Sequence, residues 1–458
     1  MQPTDNKVII AFSATPRLRV RSFAVLFILF YFFFASSWCF PQVKERFPKP
    51  DFQSGYTRPV LNTPAPRSTV QEYMDVLVLL TVLSLATYFA HRLRSRRKIF
   101  LLMIFSLVYF GFYRKGCICS VGALQNVVYA SFQPAYAIPL TVIAFFSLPL
   151  LFALFFGRTF CAAVCPLGSM QDAVVLKPVK VPEWLEPVLG MIPPIYLSLT
   201  ILFAATGASF FICRYDPFVG FFRFGASFSM VLFGVSMLVL GTVVARPYCR
   251  FLCPYGVLLN WMSQLSKWHV KITPDLCNNC RLCEESCPFG AIHRPSQEHV
   301  PERHRREIRR LALLFFLFPV ILAGSGWAGS RLQVILSRQH PVVSLAEAVL
   351  WQDAETGQQA TDAVKAFRTS GKPSQELFFE AGVVQERFRT GGWIAGGFLG
   401  LIFACKLIGL SIHKRRLEYQ ADRGTCLSCG RCFSYCPYEK VRLGLIPLES
   451  IQDQINPR

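Results

Sequence analysis

Ile138-Pro-Leu-Thr-Val-Ile-Ala-Phe-Phe-Ser-Leu-Pro-Leu-Leu-Phe-Ala-Leu-Phe-Phe156 carries no charged side chain, and Arg158-Thr-Phe-Cys161-Ala-Ala-Val-Cys165-Pro166 follows almost at once. The first stretch has the length of a membrane helix, since a hydrocarbon core of roughly 30 Å takes about 20 apolar residues. The second sets two thiols one helical turn apart and ends in Pro, which suits the first turn of a new helix. An apolar span that empties into a cysteine loop therefore joins a membrane fold to thiol chemistry.

Working outward, seven further runs share the apolar character: Phe23–Phe40, Met74–Ala90, Ile99–Phe112, Gly190–Ile212, Ala226–Val244, Leu311–Ala328 and Trp393–Ile412. The composition agrees. Of 458 residues, 53% are hydrophobic and only 16% charged, with a mean hydropathy of +0.38. Soluble domains run nearer a quarter charged. The first run lacks a small-residue cleavage site and reads as a retained anchor. The fold class expected is an all-α polytopic membrane protein of about eight transmembrane helices. It carries a small cytoplasmic α+β module of the two-cluster ferredoxin type.

The net charge is +21. Its basic residues gather at the ends of apolar runs, as they do in cytoplasmic loops. Arg17, Arg19 and Arg21 precede the first run, and His91–Lys98 follows the second. Arg303–Arg310 precedes the seventh, and Lys414–Arg416 follows the eighth. Eight spans put all four groups on one side, the cytoplasmic face of a bacterial inner membrane. The charge thus needs no nucleic-acid partner, and no nucleic-acid-reading module accompanies it. The partner expected from these spans is the lipid bilayer.

The expected division is 1–22 cytoplasmic N-terminus, 23–112 N-terminal membrane helices, 113–136 outer cysteine loop and 137–265 membrane core. The first ferredoxin half is 266–302, the helices 311–328 and 393–412 enclose a periplasmic segment 330–392, and the second half is 413–458.

Seventeen cysteines are present, most in regular clusters. A disulfide framework suits a small secreted chain, which this is not. Cys277-Asn-Asn-Cys280-Arg-Leu-Cys283-Glu-Glu-Ser-Cys287-Pro288 and Cys426-Leu-Ser-Cys429-Gly-Arg-Cys432-Phe-Ser-Tyr-Cys436-Pro437 are two copies of one run. Three thiols in a tight loop reach three corners of an iron–sulfur cubane, and in two-cluster ferredoxins the fourth serves the other cluster. This assigns Cys277, Cys280, Cys283 and Cys436 to one 4Fe-4S cluster. Cys426, Cys429, Cys432 and Cys287 take the second. Zinc sites pair two Cys-x2-Cys units instead. Pro288–Ile292 reads as the turn and strand that close a ferredoxin half.

A second repeat has three copies. They are Arg114-Lys-Gly-Cys117-Ile-Cys119-Ser-Val-Gly122, Arg158-Thr-Phe-Cys161-Ala-Ala-Val-Cys165-Pro-Leu-Gly168 and Arg246-Pro-Tyr-Cys249-Arg-Phe-Leu-Cys253-Pro-Tyr-Gly256. Each has Arg three residues before the first Cys and Gly three after the second. A thiol at a helix start beside Arg is more readily held as thiolate. Cys161, Cys165, Cys249 and Cys253 are candidates for a third Fe-S or other metal centre, against packed structural cysteines. On the outer face, Cys117, Cys119 and Cys213, with Cys39 the weakest member, are candidates for an outer centre or disulfides. Cys405 reads as core, and Trp268 with His269 as interfacial packing ahead of a quinone contact.

The two Cys-x3-Cys-Pro loops and two ferredoxin runs together resemble the NosR/NapH group of polyferredoxin-like membrane proteins. The likeness is clearest from about Leu150 to Pro295 and resumes at Thr425–Pro437. It implies electron transfer between cytoplasmic or quinol donors and periplasmic acceptors. The NosR type carries a large flavin-binding domain after its first span, for which Pro41–Tyr73 is too short. A separate flavoprotein partner is the corresponding expectation. An assembly or regulatory redox factor for a metalloenzyme is the alternative role.

Overall fold

A computed structural model describes residues 68–116, 119–133, 136–176, 178–182, 184–272, 280–295, 301–354, 361–411, 416 and 419–447. The run Phe23–Phe40 and the cysteines Cys39, Cys117 and Cys277 lie outside these residues.

The described chain is almost entirely helical. In order come α1 (Thr69–His91), α2 (Arg96–Ser106), α3 (Ser120–Phe132), α4 (Leu140–Phe156), α5 (Thr159–Ala163), α6 (Pro166–Ala173), α7 (Leu185–Leu189) and α8 (Ile192–Thr206). Next are α9 (Phe211–Tyr215), α10 (Val219–Arg223), α11 (Phe228–Gly241), α12 (Pro247–Phe251), α13 (Pro254–Gln264) and α14 (Leu282–Ser286). After strand β1 (Ile292–His293) follow α15 (Pro301–Arg331), α16 (Gln333–Ser337), α17 (Pro341–Ala354), α18 (Asp362–Thr369) and α19 (Ser374–Ser411). Strand β2 (Gln420–Ala421), α20 (Arg431–Tyr435) and α21 (Pro437–Arg442) complete the order.

Among the described residues, four stretches are long and apolar enough to cross a membrane: Thr69–His91, Leu185–Thr206, Ile308–Arg331 and Ser374–Ser411. Leu140–Phe156 and Phe228–Gly241 are apolar but shorter. The run Ile99–Phe112 falls in α2, which passes without a break into a π-helical turn at Leu107–Tyr113. The run Gly190–Ile212 is not one helix. It stops at Thr206, where Gly207 adopts the left-handed conformation (φ 76°) that ends many helices.

Two helices cover only half of this height. At the start of α13, Tyr255 Oη donates to the carbonyl of Phe146, midway along α4 (2.6 Å). Beyond its end, the Trp268 N–H donates to Phe155 O at the foot of α4 (2.8 Å). The Trp268 ring stacks on Phe156 (5.5 Å, 21°). Helix α3 starts at Cys119, which shares a cavity with Phe145 of α4. Its last turn reaches the far end of α8, where Gln133 and Tyr129 are nearest to Gly207. Helices α3 and α13 therefore leave one level of α4 in opposite directions.

Helices α15 and α19 form a close hairpin. Gly392, Gly396 and Gly400 recur every fourth residue on α19, and a Cβ on Gly396 would overlap the Ser325 carbonyl of α15. Small residues at this spacing let helix backbones touch inside a membrane. The expected segment 330–392 overlaps both helices, since α19 already begins at Ser374. Its described residues are mostly helical, with a small core of Val343, Ala346, Val349, Val364, Leu377 and Ala381.

Candidate metal centres

The hairpin returns the second ferredoxin run to the first. Strands β1 and β2 pair antiparallel, Ile292 with Ala421 and His293 with Gln420. The Asp422 N–H extends the pairing to Ala291 O (2.7 Å). The turn and strand expected at Pro288–Ile292 overlap β1 only at Ile292, and the partner of β1 comes from the other half. Arg281 and Gly430 occupy equivalent places before α14 and α20. Both take left-handed φ, 65° and 73°, so the two loops turn alike.

Cys283 and Cys287 are buried with Phe289, Ile292, Tyr419 and Leu427, and Cys426, Cys429 and Cys432 pack against this core. Burial pushes the Cys426 thiol up to about 12, and Cys429 and Cys287 add to the rise. Burial also raises Cys287, with Cys429 adding to it. Burial raises Cys436, and Cys280 of the first run adds to the rise. Cys287 therefore lies near thiols of the second run, and Cys436 near Cys280 of the first.

Among the described residues, no three His, Cys, Asp or Glu close around the position of a single ion. The donor set nonetheless fits a cluster. Burial makes Cys287, Cys426, Cys432 and Cys436 costly to ionise alone, and bound iron supplies the positive charge that removes such protons.

The Cys-x3-Cys-Pro loops pack against this head. Cys161 touches its core, and Arg158 Nη1 donates to Gly424 O (3.2 Å). Cys165 and Cys253 are the N-caps of α6 and α13, each with Pro in the first turn. Cys161 and Cys249 lie in the five-residue helices α5 and α12. Gln171 of α6 joins the two loops. Its Oε1 accepts the Tyr248 N–H (2.9 Å) while its Nε2 donates to Cys249 Sγ (3.2 Å). Arg246 is fully buried and donates to the carbonyls of Cys161 and Ala162.

Cys119 and Cys213 sit at a second copy of this clamp. Gln125 of α3 stands six residues after Cys119, as Gln171 does after Cys165. Its Oε1 accepts the Ile212 N–H (2.6 Å), and its Nε2 donates to Cys213 Sγ (3.3 Å). Cys213 is the third residue of α9, as Cys249 is of α12. The structure thus brings Cys119 and Cys213 together, joined by one residue that sequence reading missed, Asp216. Cys213-Arg-Tyr-Asp216-Pro217-Phe218 parallels Cys249-Arg-Phe-Leu-Cys253-Pro254-Tyr255 with one residue fewer. That likeness is the signal for a fourth copy, which a search for paired cysteines passes over.

Two single residues stand as follows. Cys405 is exposed on α19, so it faces outward and is not core. Trp268 packs on Phe156, as expected of an interfacial side chain.

A 4Fe-4S binding domain model, Fer4_5, matches residues 138–182 and 226–273, and a second, Fer4, matches 270–293. The chain is 29% identical to Protein NirI of Paracoccus denitrificans over 38% of its own length and 28% of NirI. It is 29% identical to Regulatory protein NosR of Pseudomonas aeruginosa over 44% of its length and 30% of NosR. YccM of Escherichia coli, whose name assigns it to electron transport, is 24% identical over 30% of this chain and 43% of YccM. The chain therefore spans less than a third of NirI and of NosR. No solved structure matches it at a significant level.

Proposed function

For this chain, a member of the NosR/NapH type of membrane iron–sulfur protein, we propose a role in carrying electrons between cytoplasmic or quinol donors and a periplasmic acceptor. The observation that supports it most directly is the β1–β2 pairing across the α15–α19 hairpin. It draws the two cysteine runs into one head. Cys277, Cys280, Cys283 and Cys436 hold one 4Fe-4S cluster, and Cys426, Cys429, Cys432 and Cys287 hold the other. When bound, such clusters supply one-electron transfer at a potential set by burial and hydrogen bonds to sulfur. Backbone N–H groups of Phe289 and Ala291 face Cys287, and those of Tyr438 and Glu439 face Cys436.

Cys161, Cys165, Cys249 and Cys253 hold a third centre between this head and the membrane interior. The path needs further stations, since roughly 30 Å of hydrocarbon is too wide for one hop. An outer centre at Cys117, Cys119 and Cys213, or a quinone, completes it. The head faces the cytoplasm of a bacterial inner membrane crossed by eight helices, and a periplasmic flavoprotein is a fitting partner.

Anaerobic purification tests this reading. The expected product is brown, with iron and sulfide near ~8 each per chain for the head, plus the third centre's share. A colourless, zinc-loaded protein would end it.

The name of NosR, a regulatory protein, favours a second reading. In it the chain is an assembly or regulatory redox factor for a metalloenzyme. Deletion would then strip metal from the partner without changing steady electron flux.

A further inference from the structure

The outer half of the protein holds a copy of the inner thiol site with one sulfur exchanged for a carboxylate. Cys119, Cys213 and Asp216 line one cavity of about 240 Å³, with Phe145, Asn126 and Arg114 in its wall. Each has an inner counterpart. Cys119 starts α3 as Cys165 starts α6. Cys213 is held by Gln125 as Cys249 is held by Gln171. Asp216 stands before Pro217 as Cys253 stands before Pro254.

The clamp is the strongest part of this likeness. In both halves one glutamine accepts the N–H of the residue before the cysteine and donates to that cysteine's sulfur. A neutral amide donor aimed at sulfur stabilises thiolate, the form that binds metal. Gly122 packs directly beside this sulfur, where a Cβ would stand 3.5 Å from Cys213 Sγ. Asp216 is buried (5% exposed), with Oδ1 accepting the Phe218 N–H (2.8 Å). Buried carboxylates are held by hydrogen bonds, paired charge or metal. One oxygen thus anchors the loop, and the carboxylate still borders the cavity.

We propose that Cys119, Cys213 and Asp216 bind a second intramembrane iron–sulfur centre, of mixed thiolate and carboxylate ligation, equivalent by internal repeat to the four-cysteine inner site. The class of metal follows from the inner copy, which the 4Fe-4S binding domain model matches at both of its loops. Softness of the donors agrees, because thiolates select iron–sulfur clusters over hard cations. The inference rests on the reading of the chain as an iron–sulfur protein.

The test uses the full-length chain, purified anaerobically in detergent, with iron, sulfide and EPR read together. Cys119→Ala/Cys213→Ala is expected to lose the iron and sulfide of one centre and its EPR signal, with the ferredoxin signals intact. Asp216→Cys is expected to keep its iron and shift the EPR signal of one centre, because a fourth sulfur replaces oxygen. Unchanged iron and an unchanged spectrum in both variants would overturn the proposal. Should the double variant fail to fold, Asp216→Cys decides alone. Loss of the ferredoxin signals from the wild type itself would instead count against the wider reading.

Discussion

Arg246 and Asp172 form an ion pair in which both side chains are 1% exposed, Nε to Oδ1 at 3.4 Å. Asp172 also binds Arg96 of α2 (2.5 Å) and Arg431 of α20 (3.2 Å). One carboxylate therefore ties the third cysteine loop, helix α2 and the second ferredoxin half to α6. Asp172→Asn leaves three guanidinium groups around a neutral amide. Removing one partner of a buried pair costs about 3–5 kcal/mol. Thermal unfolding in detergent should show a lowered midpoint and loss of the inner and ferredoxin centres together.

The same carboxylate fixes a pH dependence. Burial alone would raise its pKa, but Arg246, Arg96 and Arg431 outweigh burial and hold the carboxyl well below the usual range. A depressed folded pKa gives stability that is complete above the unfolded value, near ~3.9, and is lost as pH falls through the folded value. The gap between wild type and Asp172→Asn should therefore stay constant from about pH 8 to about pH 5 and shrink below about pH 4. A gap that closes between pH 7 and pH 5 would contradict this placement of the charge.

Exchange of the fourth cysteines makes a pairing of phenotypes. Cys436→Ser should remove the same EPR signal as Cys280→Ser, although the two residues lie in different runs. Cys287→Ser should match Cys426→Ser. If Cys436→Ser instead matches Cys426→Ser, each run keeps its own cluster.

The α15–α19 hairpin offers a test far from any cysteine motif. Gly396→Leu would push a side chain into the Ser325 carbonyl and the Gly329 backbone. Overpacking of this kind costs about 1–3 kcal/mol, more where backbone must move. Both ferredoxin clusters should be depleted together, with the inner centre less affected. Retention of full cluster content in membranes would show that the hairpin does not position the head.

Much of this was legible from residues alone. The run Cys426–Pro437 repeats Cys277–Pro288, so their meeting could be read across the intervening helices. The half-length helices could not. Hydropathy measures how apolar a stretch is, and Cys119 and Cys253 give no sign that α3 and α13 begin level with the middle of α4. The glutamine clamps were hidden as well, because Gln125 and Gln171 show their role only once α9 and α12 pack against them. Asp216 escaped because a carboxylate stands where the other copies place sulfur. Burial, not sequence, revealed Cys405 as outward-facing.

The hairpin that separates the two ferredoxin runs has a further consequence, for how the protein is made. A ribosome finishes Cys277–Cys287 first, then α15 through α19, and only then Cys426–Cys436. With the fourth cysteines exchanged, neither ligand set is complete until the last helix pair has crossed the bilayer and come back. Iron loading would then act as a quality check on membrane insertion. A chain with that hairpin misplaced would keep both ligand sets incomplete.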